Sequence, residues 1–498
     1  MIQAALLLLL ATGTAAADNG GEVRLSLKDA IRMAAEKNLD VRAELYNPAA
    51  AEADIHKYEG IYNPLLSALV NYQDSSTLLA NRFTSGGAGV SRLRSTAFNA
   101  GVSQLIPTGG TLGAAFNNSW NHNNFGGGAL NNYFQSNLTL SYAQPLLRNF
   151  GTETTELNIT VAKLGKEGAL DQFRSRLLSI VSQVRTQYFQ LYSARENLKV
   201  KKTSLELAER ILNDTRAQVK AGVLPAFEVL NAQFGVATQQ KNVIDAERAV
   251  KDQSDALRVL LQIPDSGEIV PEDTPSQDAY AMNEAEAVQR ALAGRPDLLL
   301  QRVALTTNEL QARVAGNQTL PQLDLTTSAA FTGLSDTYSR DLERVSSGQY
   351  PIWTVGLQLT YPIGNDAARN DYIKSKLRVE QSRTQVRSLE ETISRDVRTA
   401  LRAVSSSYKQ LDVTSRGRAY AEEVLQAYIK KQKVGLATTK DVLDVLNNQV
   451  TAEGNQIQAV ADYNNAITAL WTSTGELLDR EGVRVSARDA DELYGKSR

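Results

Sequence analysis

Two proline-free runs, Thr154 to Ala221 and Ala367 to Val434, limit this chain more than any other feature. Apolar residues recur in them at spacings of three and four. The first run has Leu170, Phe173, Leu177, Ile180, Val184, Tyr188 and Leu191; the second has Leu389, Ile393, Val397, Leu401, Val404, Tyr408 and Leu411. Each is a stripe on a helix of about 65 residues, which at ~1.5 Å per residue spans about 100 Å. No single globular domain needs a helix of that length. The other faces are rich in Gln, Ser, Arg, Glu and Lys, so the narrow seam is expected to bury against other helices as in coiled coils.

The runs end in matching text, "VKAGVLPAFEVLNAQF" from 219 and "QKVGLATTKDVLDVLNNQV" from 432. Upstream, "LKDAIRMAAEKNLDVRAE" (27–44) aligns with "EAEAVQRALAGRPDLLLQR" (284–302), placing Asp40 on Asp297, while Gly222 falls on Gly435. The chain is thus an internal repeat. The first repeat covers 18–261, with strands about 62–144 and helices about 154–221 and 225–261. A linker at 262–283 precedes the second repeat at 284–478, with strands about 321–361 and helices about 367–434 and 438–478; residues 479–498 form a tail. Asp40 and Gly222 lie 182 residues apart but Asp297 and Gly435 only 138, so the first half holds 44 extra residues.

Between the helices the period changes to two. "WTVGLQLTY" (353–361) sends Trp353, Val355, Leu357, Leu359 and Tyr361 one way and Thr354, Gly356, Gln358 and Thr360 the other. "LSALVNYQD" (66–74), "SNLTLSY" (136–142) and "LDLTTSAAF" (323–331) alternate likewise, giving strands with one greasy and one wet face. A soluble sandwich and a membrane barrel both fit that alternation. Strand length, flanking Tyr and Trp, and helices too long to cover a sheet favour the barrel. The stretch 98–120 predicts an additional hairpin turned at Pro107-Thr108-Gly109-Gly110. Four strands per chain follow, or six with that hairpin. A barrel needs at least eight, and an open edge cannot sit in lipid, so the chain must associate to close one.

Met1 to Ala17 reads as a secretory leader with cleavage after Ala17, although its start has no Lys or Arg; a buried N-terminal helix is the alternative. The 498 residues contain no Cys, which excludes disulfides and a lipid-anchored cysteine. With 53 Lys+Arg against 55 Asp+Glu and no single-sign block, nucleic acid is not an expected partner. The only histidines, His56 and His122, are isolated, and no phosphate-cradling Gly loop is followed by Lys-Ser/Thr. No enzyme, metal or cofactor is therefore expected.

"GRPDLLLQR" (294–302), "LPQLDLTTSAAF" (320–331), "VGLQLTYPI" (355–363), "YAQPLLRNFG" (142–151) and the paired glycine stretches, by their order and spacing along the chain, resemble the TolC family of outer-membrane efflux and secretion channels. The resemblance covers roughly residues 25 to 480. It implies an α+β membrane protein of the outer membrane: a homotrimer with a 12-stranded β-barrel, four strands per chain, continuing into a large periplasmic coiled-coil barrel of helices. It also implies a passive exit duct serving an inner-membrane pump through a periplasmic adaptor. The extra residues depart from that pattern and are expected as a rim or surface elaboration. A barrel-anchored adhesive fibre is the rival reading, but this chain enters its strand region twice, from helices on both sides.

Gly222 and Gly435 are expected to stop their helices in the left-handed conformation. Pro225 suits the first turn of one returning helix, and Thr438 with Asp441 has capping-box spacing for the other. By the resemblance these corners form the adaptor-docking tip, with Gly222, Val223, Leu224, Gly435 and Leu436 on its surface. Asp441 and Asp444 share a helix face. They are either a cap and an ordinary surface acid or, as the resemblance implies, an entrance constriction shared with Glu228. Three copies would gather six aspartates there. An Arg that latches the family's closed entrance is Ala437 here, a Tyr before it is Gln432, and Glu228 replaces an Asp.

Overall fold

The computed structural model describes residues 22–78, 89–124, 130–264 and 267–497. The expected leader at 1–17 lies outside them. Each repeat opens on a helix pair. These are α1 (Leu27–Lys37) and α2 (Leu39–Glu59) in the first, and α6 (Glu284–Gly294) and α7 (Pro296–Asn317) in the second. Ser26 and Asn283 cap the two openings by accepting from the backbone N–H of Asp29 and Ala285.

The long helices are α4 (Leu157–Lys220), preceded by the single turn α3 (Thr152–Thr155), and α9 (Asp366–Lys433). Their returning partners are α5 (Phe227–Leu261) and α10 (Thr439–Thr474). Residues 479–498, expected as a tail, include the end of α11 (Leu477–Arg480) and all of α12 (Ala487–Ser497). The linker at 262–283 contributes β6 (Ile269–Pro271), which pairs in parallel with β1 (Val23–Leu25). Among the described residues no helix is long and apolar enough to cross a membrane.

The chain divides into two compact units. One gathers residues 1–46, 172–298 and 389–487; the other gathers 47–171, 299–388 and 488–498. In the helical unit the α4 stripe is the core: Phe173, Leu177, Ile180, Val184, Tyr188 and Leu191 are buried with Ile31 of α1, Leu257 of α5 and Leu477. The Tyr188 hydroxyl donates to Leu25 O at 2.9 Å and accepts from Asp273 N at 3.0 Å. Burial pushes that phenol up to about 12. On α9 the stripe is less complete, because Tyr408 remains exposed beside the ring of Tyr463.

The second unit holds one antiparallel six-stranded sheet in the order β2-β3-β4-β5-β7-β8. Its strands are β2 (Leu65–Leu78), β3 (Val90–Leu105), β4 (Thr111–Asn123), β5 (Asn132–Pro145), β7 (Gln322–Ser335) and β8 (Pro351–Thr360). The extra residues are thus not a rim elaboration. They form β3 and β4, which lie inside the sheet between β2 and β5 and pair with them along most of their length. One row across the sheet runs Ala68, Ala100, Phe116, Leu138 and Phe331, and the row one residue over runs Leu69, Asn99, Asn117, Asn137 and Thr332.

A helix that the sequence pattern did not predict, α8 (Tyr338–Ser347), joins β7 to β8 and lies on β5 and β7. Its buried Asp341 accepts from Ser136 N at 3.2 Å and from the Ser136 hydroxyl. Gly333 makes the approach feasible, since a Cβ there would stand 2.2 Å from the Asp341 carbonyl oxygen.

Candidate functional site

The two helix reversals have the same geometry. Gly222 has φ 78° and Gly435 φ 77°, both left-handed. Gly222 N donates to Val219 O at 3.0 Å and Val223 N to Gln218 O at 2.9 Å; in the second repeat Gly435 N donates to Gln432 O at 3.0 Å and Leu436 N to Lys431 O at 2.9 Å. Each pair is a Schellman motif, which satisfies the last carbonyls of the incoming helix. The residue after such a glycine commonly packs on an apolar residue five positions back. Here those positions are Gln218 and Lys431, and Val223 and Leu436 stay 67% and 77% exposed. Leu224, expected on the surface beside them, is half-buried.

The returning helices start differently. Thr438 caps α10 with a full capping box: its hydroxyl accepts from Asp441 N at 3.1 Å, and the Asp441 carboxylate accepts from Thr438 N at 2.8 Å. That amide hydrogen bond, with the Thr438 side-chain bond second, holds Asp441 below the usual carboxylate range. Helix α5 has Ala226 as its N-cap, which makes no side-chain capping bond, and Pro225 precedes that cap.

Asp441 and Asp444 are both exposed on α10, whereas the intervening Val442 and Leu443 are buried. Glu228 does not join them. It is 5% exposed, and its Oε2 is sealed from solvent with no hydrogen-bond partner. The reason is register: Glu228 sits four residues before fully buried Ala232 and continues the inward stripe Ala232, Val236, Val243 of α5. That stripe meets Val442, Leu443 and Leu446 of α10 and Ala208 and Ile211 of α4. Gln432 is also turned inward and donates to Thr439 Oγ1 at 3.2 Å, and Thr439 lies 3.4 Å from the Thr215 hydroxyl. Ala437 is half-buried on the turn.

Sequence reasoning missed a second exposed feature. Phe227, Leu230 and Phe234 on the first two turns of α5 are 58%, 65% and 76% exposed, although their spacing of three and four puts them on one face. That spacing was the available signal. Neither histidine forms part of a constellation: His56 lies between Glu52 and Glu59, and His122 is 2.5 Å from Asn132 Oδ1. Among the described residues no cluster of His, Asp or Glu is arranged to hold a metal ion.

A family model described as outer membrane efflux protein matches residues 111–261 and 287–476. The outer membrane efflux protein BepC of Brucella suis biovar 1 (strain 1330) is 23% identical over 345 residues, spanning 68% of this chain and 73% of that protein. The outer-membrane channel OprN superposes with a TM-score of 0.67 at 16% identity over 90% of both chains. The Campylobacter jejuni CmeC outer membrane channel gives 0.63 at 17% identity, covering 94% of this chain and 89% of that one. These likenesses show a shared fold, and the matched segments take in both glycine corners and both long helix pairs. The chain belongs to the outer membrane efflux protein family.

Proposed function

We propose that the chain is a passive exit duct in the outer membrane, part of a tripartite efflux or type I secretion assembly. It receives cargo from an inner-membrane pump through a periplasmic adaptor and performs no chemistry of its own. The observation that carries this reading is the sheet: six strands with one apolar and one polar face and two open edges, β2 and β8. Six strands cannot close a barrel, and unpaired edges are not tolerated in lipid, so copies must join edge to edge. Three copies are what the family resemblance implies. The exposed stripe Phe227, Leu230, Phe234 supplies an apolar seam for a neighbouring copy's helices.

At the far end of the helices the two Schellman corners dock the adaptor, with Val223 and Leu436 as apolar contacts that lack a partner of their own. Asp441 and Asp444 form the entrance constriction, six carboxylates in a trimer, and favour cations. Planar-bilayer recording of the purified protein tests this. The double variant D441N/D444N is expected to lose most of its cation preference, measured as reversal potential in a salt gradient, and to resist block by multivalent cations. An unchanged reversal potential refutes the constriction.

A further inference from the structure

The hairpin of β3 and β4, inside the sheet, has four features that bear on whether it spans the wall. Its strands, 16 and 13 residues long, match β2 and β5 at 14 each. From its turn to mid-height its apolar face continues the greasy rows of the flanking strands, with Ala100 opposite Ala68 and Ala114 opposite Leu140, while Arg92 and Arg94, the latter paired with Asp74, share that face near the opposite end. Its turn is docked at the end of the sheet from which β5 leads into α3. Gln144 Nε2 donates to Thr108 O at 3.0 Å, Gly151 N donates to the same oxygen at 3.0 Å, and Gly109 (φ 86°) leaves a Cβ only 2.5 Å from Asn149 O. The hairpin therefore spans the full height of the sheet.

The fourth observation is the polar face. On β3, Ser95, Ala97, Asn99, Gly101 and Ser103 are half-covered while Thr96, Phe98 and Val102 are exposed, as expected when the polar face is concave. Across all five ladders the only charged residue on that face is Asp324; the rest is Asn, Gln, Ser, Thr, Tyr133 and small or apolar residues.

Resting on the duct reading above, we propose that β3 and β4 are wall strands, so that three chains close an eighteen-stranded barrel with a wide bore. Its neutral lining suits bulky, uncharged, hydrogen-bonding solutes. With strands about 4.8 Å apart and tilted about 40°, eighteen close at a backbone radius of about 18 Å and twelve at about 12 Å. Side chains take up about 5 Å, half the spacing of packed sheets, leaving free radii of about 13 Å and about 7 Å.

The Cys-free chain allows a direct test with single Ala→Cys variants of the full protein in outer-membrane vesicles. A97C and A115C on the polar face, with A330C as control, are expected to react with an impermeant maleimide. A100C and A114C on the apolar face, with A68C and A329C as controls, are expected to react at least tenfold more slowly until detergent is added. A115C is further expected to accept a maleimide polymer of about 10 Å radius, which fits only the wider bore. Reaction of A100C and A114C while A68C and A329C stay protected would place the hairpin off the wall and overturn the inference alone. Reaction of all four overturns the barrel reading beneath it, and refusal of the polymer by a maleimide-reactive A115C overturns the wide bore.

Discussion

Replacing Gly435 by Ala isolates backbone conformation from packing. The residue has φ 77°, and a Cβ built there meets nothing within 4 Å, so no steric contact enters. The cost is that of a left-handed alanine, about 1–2 kcal/mol. Local opening of the corner should then speed hydrogen exchange roughly five- to thirtyfold in the last turn of α9 and the first of α10. Gly222 has the same open surroundings at φ 78° and should respond alike in α4 and α5. Gly235 is the contrasting case, since a Cβ there would stand 2.6 Å and 2.7 Å from the two methyl carbons of Leu443. G235A therefore acts by overpacking, about 1–3 kcal/mol, and should be sub-additive with L443A, whereas G435A should be additive with it. Hydrogen-exchange mass spectrometry on the detergent-purified protein measures all of these. Exchange at the G435A corner within twofold of the wild type, or an Asn as disruptive as Ala, would refute the assignment of a left-handed stop.

Asp441 can be divided into its two roles. D441N keeps an oxygen to accept from Thr438 N and should change ion selectivity while preserving exchange protection at the start of α10; D441A should lose both. Because hydrogen bonding depresses the folded Asp441 pKa, its contribution to the corner is fully present above the usual aspartate range and is lost as pH falls through the depressed value. Exchange protection across an acid pH series, compared with D441N, checks the sign. Arg185 is 6% exposed, pairs with Glu481, donates to Thr468 Oγ1 at 3.0 Å and lies 4.7 Å over the Trp471 ring. R185M should destabilise the helical unit by about 3–5 kcal/mol in denaturant unfolding, with much of the loss recovered in R185M/E481L. F234K should leave the isolated chain folded but forfeit about 1.5–3 kcal/mol of seam burial per copy, read as a shift from trimer to monomer in native mass spectrometry.

What was legible in the sequence was whatever has a local cause. A left-handed glycine, a capping box and a period of two or 3.6 are each written within a few residues, and the corners at Gly222 and Gly435 and the turn at Pro107–Gly110 lie where those signals stand. The place of the hairpin was not local. Alternation in 98–120 says strand, but only pairing with β2 and β5 on either side places the hairpin inside the sheet, and that pairing is a register between separate segments. Glu228 was misplaced for another reason. A family position says which residue type belongs at an entrance, whereas the α5 stripe through Ala232 and Val236 decides which way the side chain turns. Helix α8 gave no signal because only two of its residues, Asp341 and Val345, are buried, one of them a carboxylate whose partner Ser136 lies two hundred residues upstream.

The two open sheet edges also have a kinetic consequence. By itself the chain leaves the outer edges of β2 and β8 open; since β2 pairs with β3 and β8 with β7, about half of the backbone donors and acceptors of their 14 and 10 residues lack a strand partner. Among the described residues no further strand satisfies them, and any exposed strand of suitable length can do so. If copies join edge to edge as proposed, finishing the fold and counting the subunits are one event. The rate of such an event would rise steeply with chain concentration, with mispairing of the open edges as its competitor.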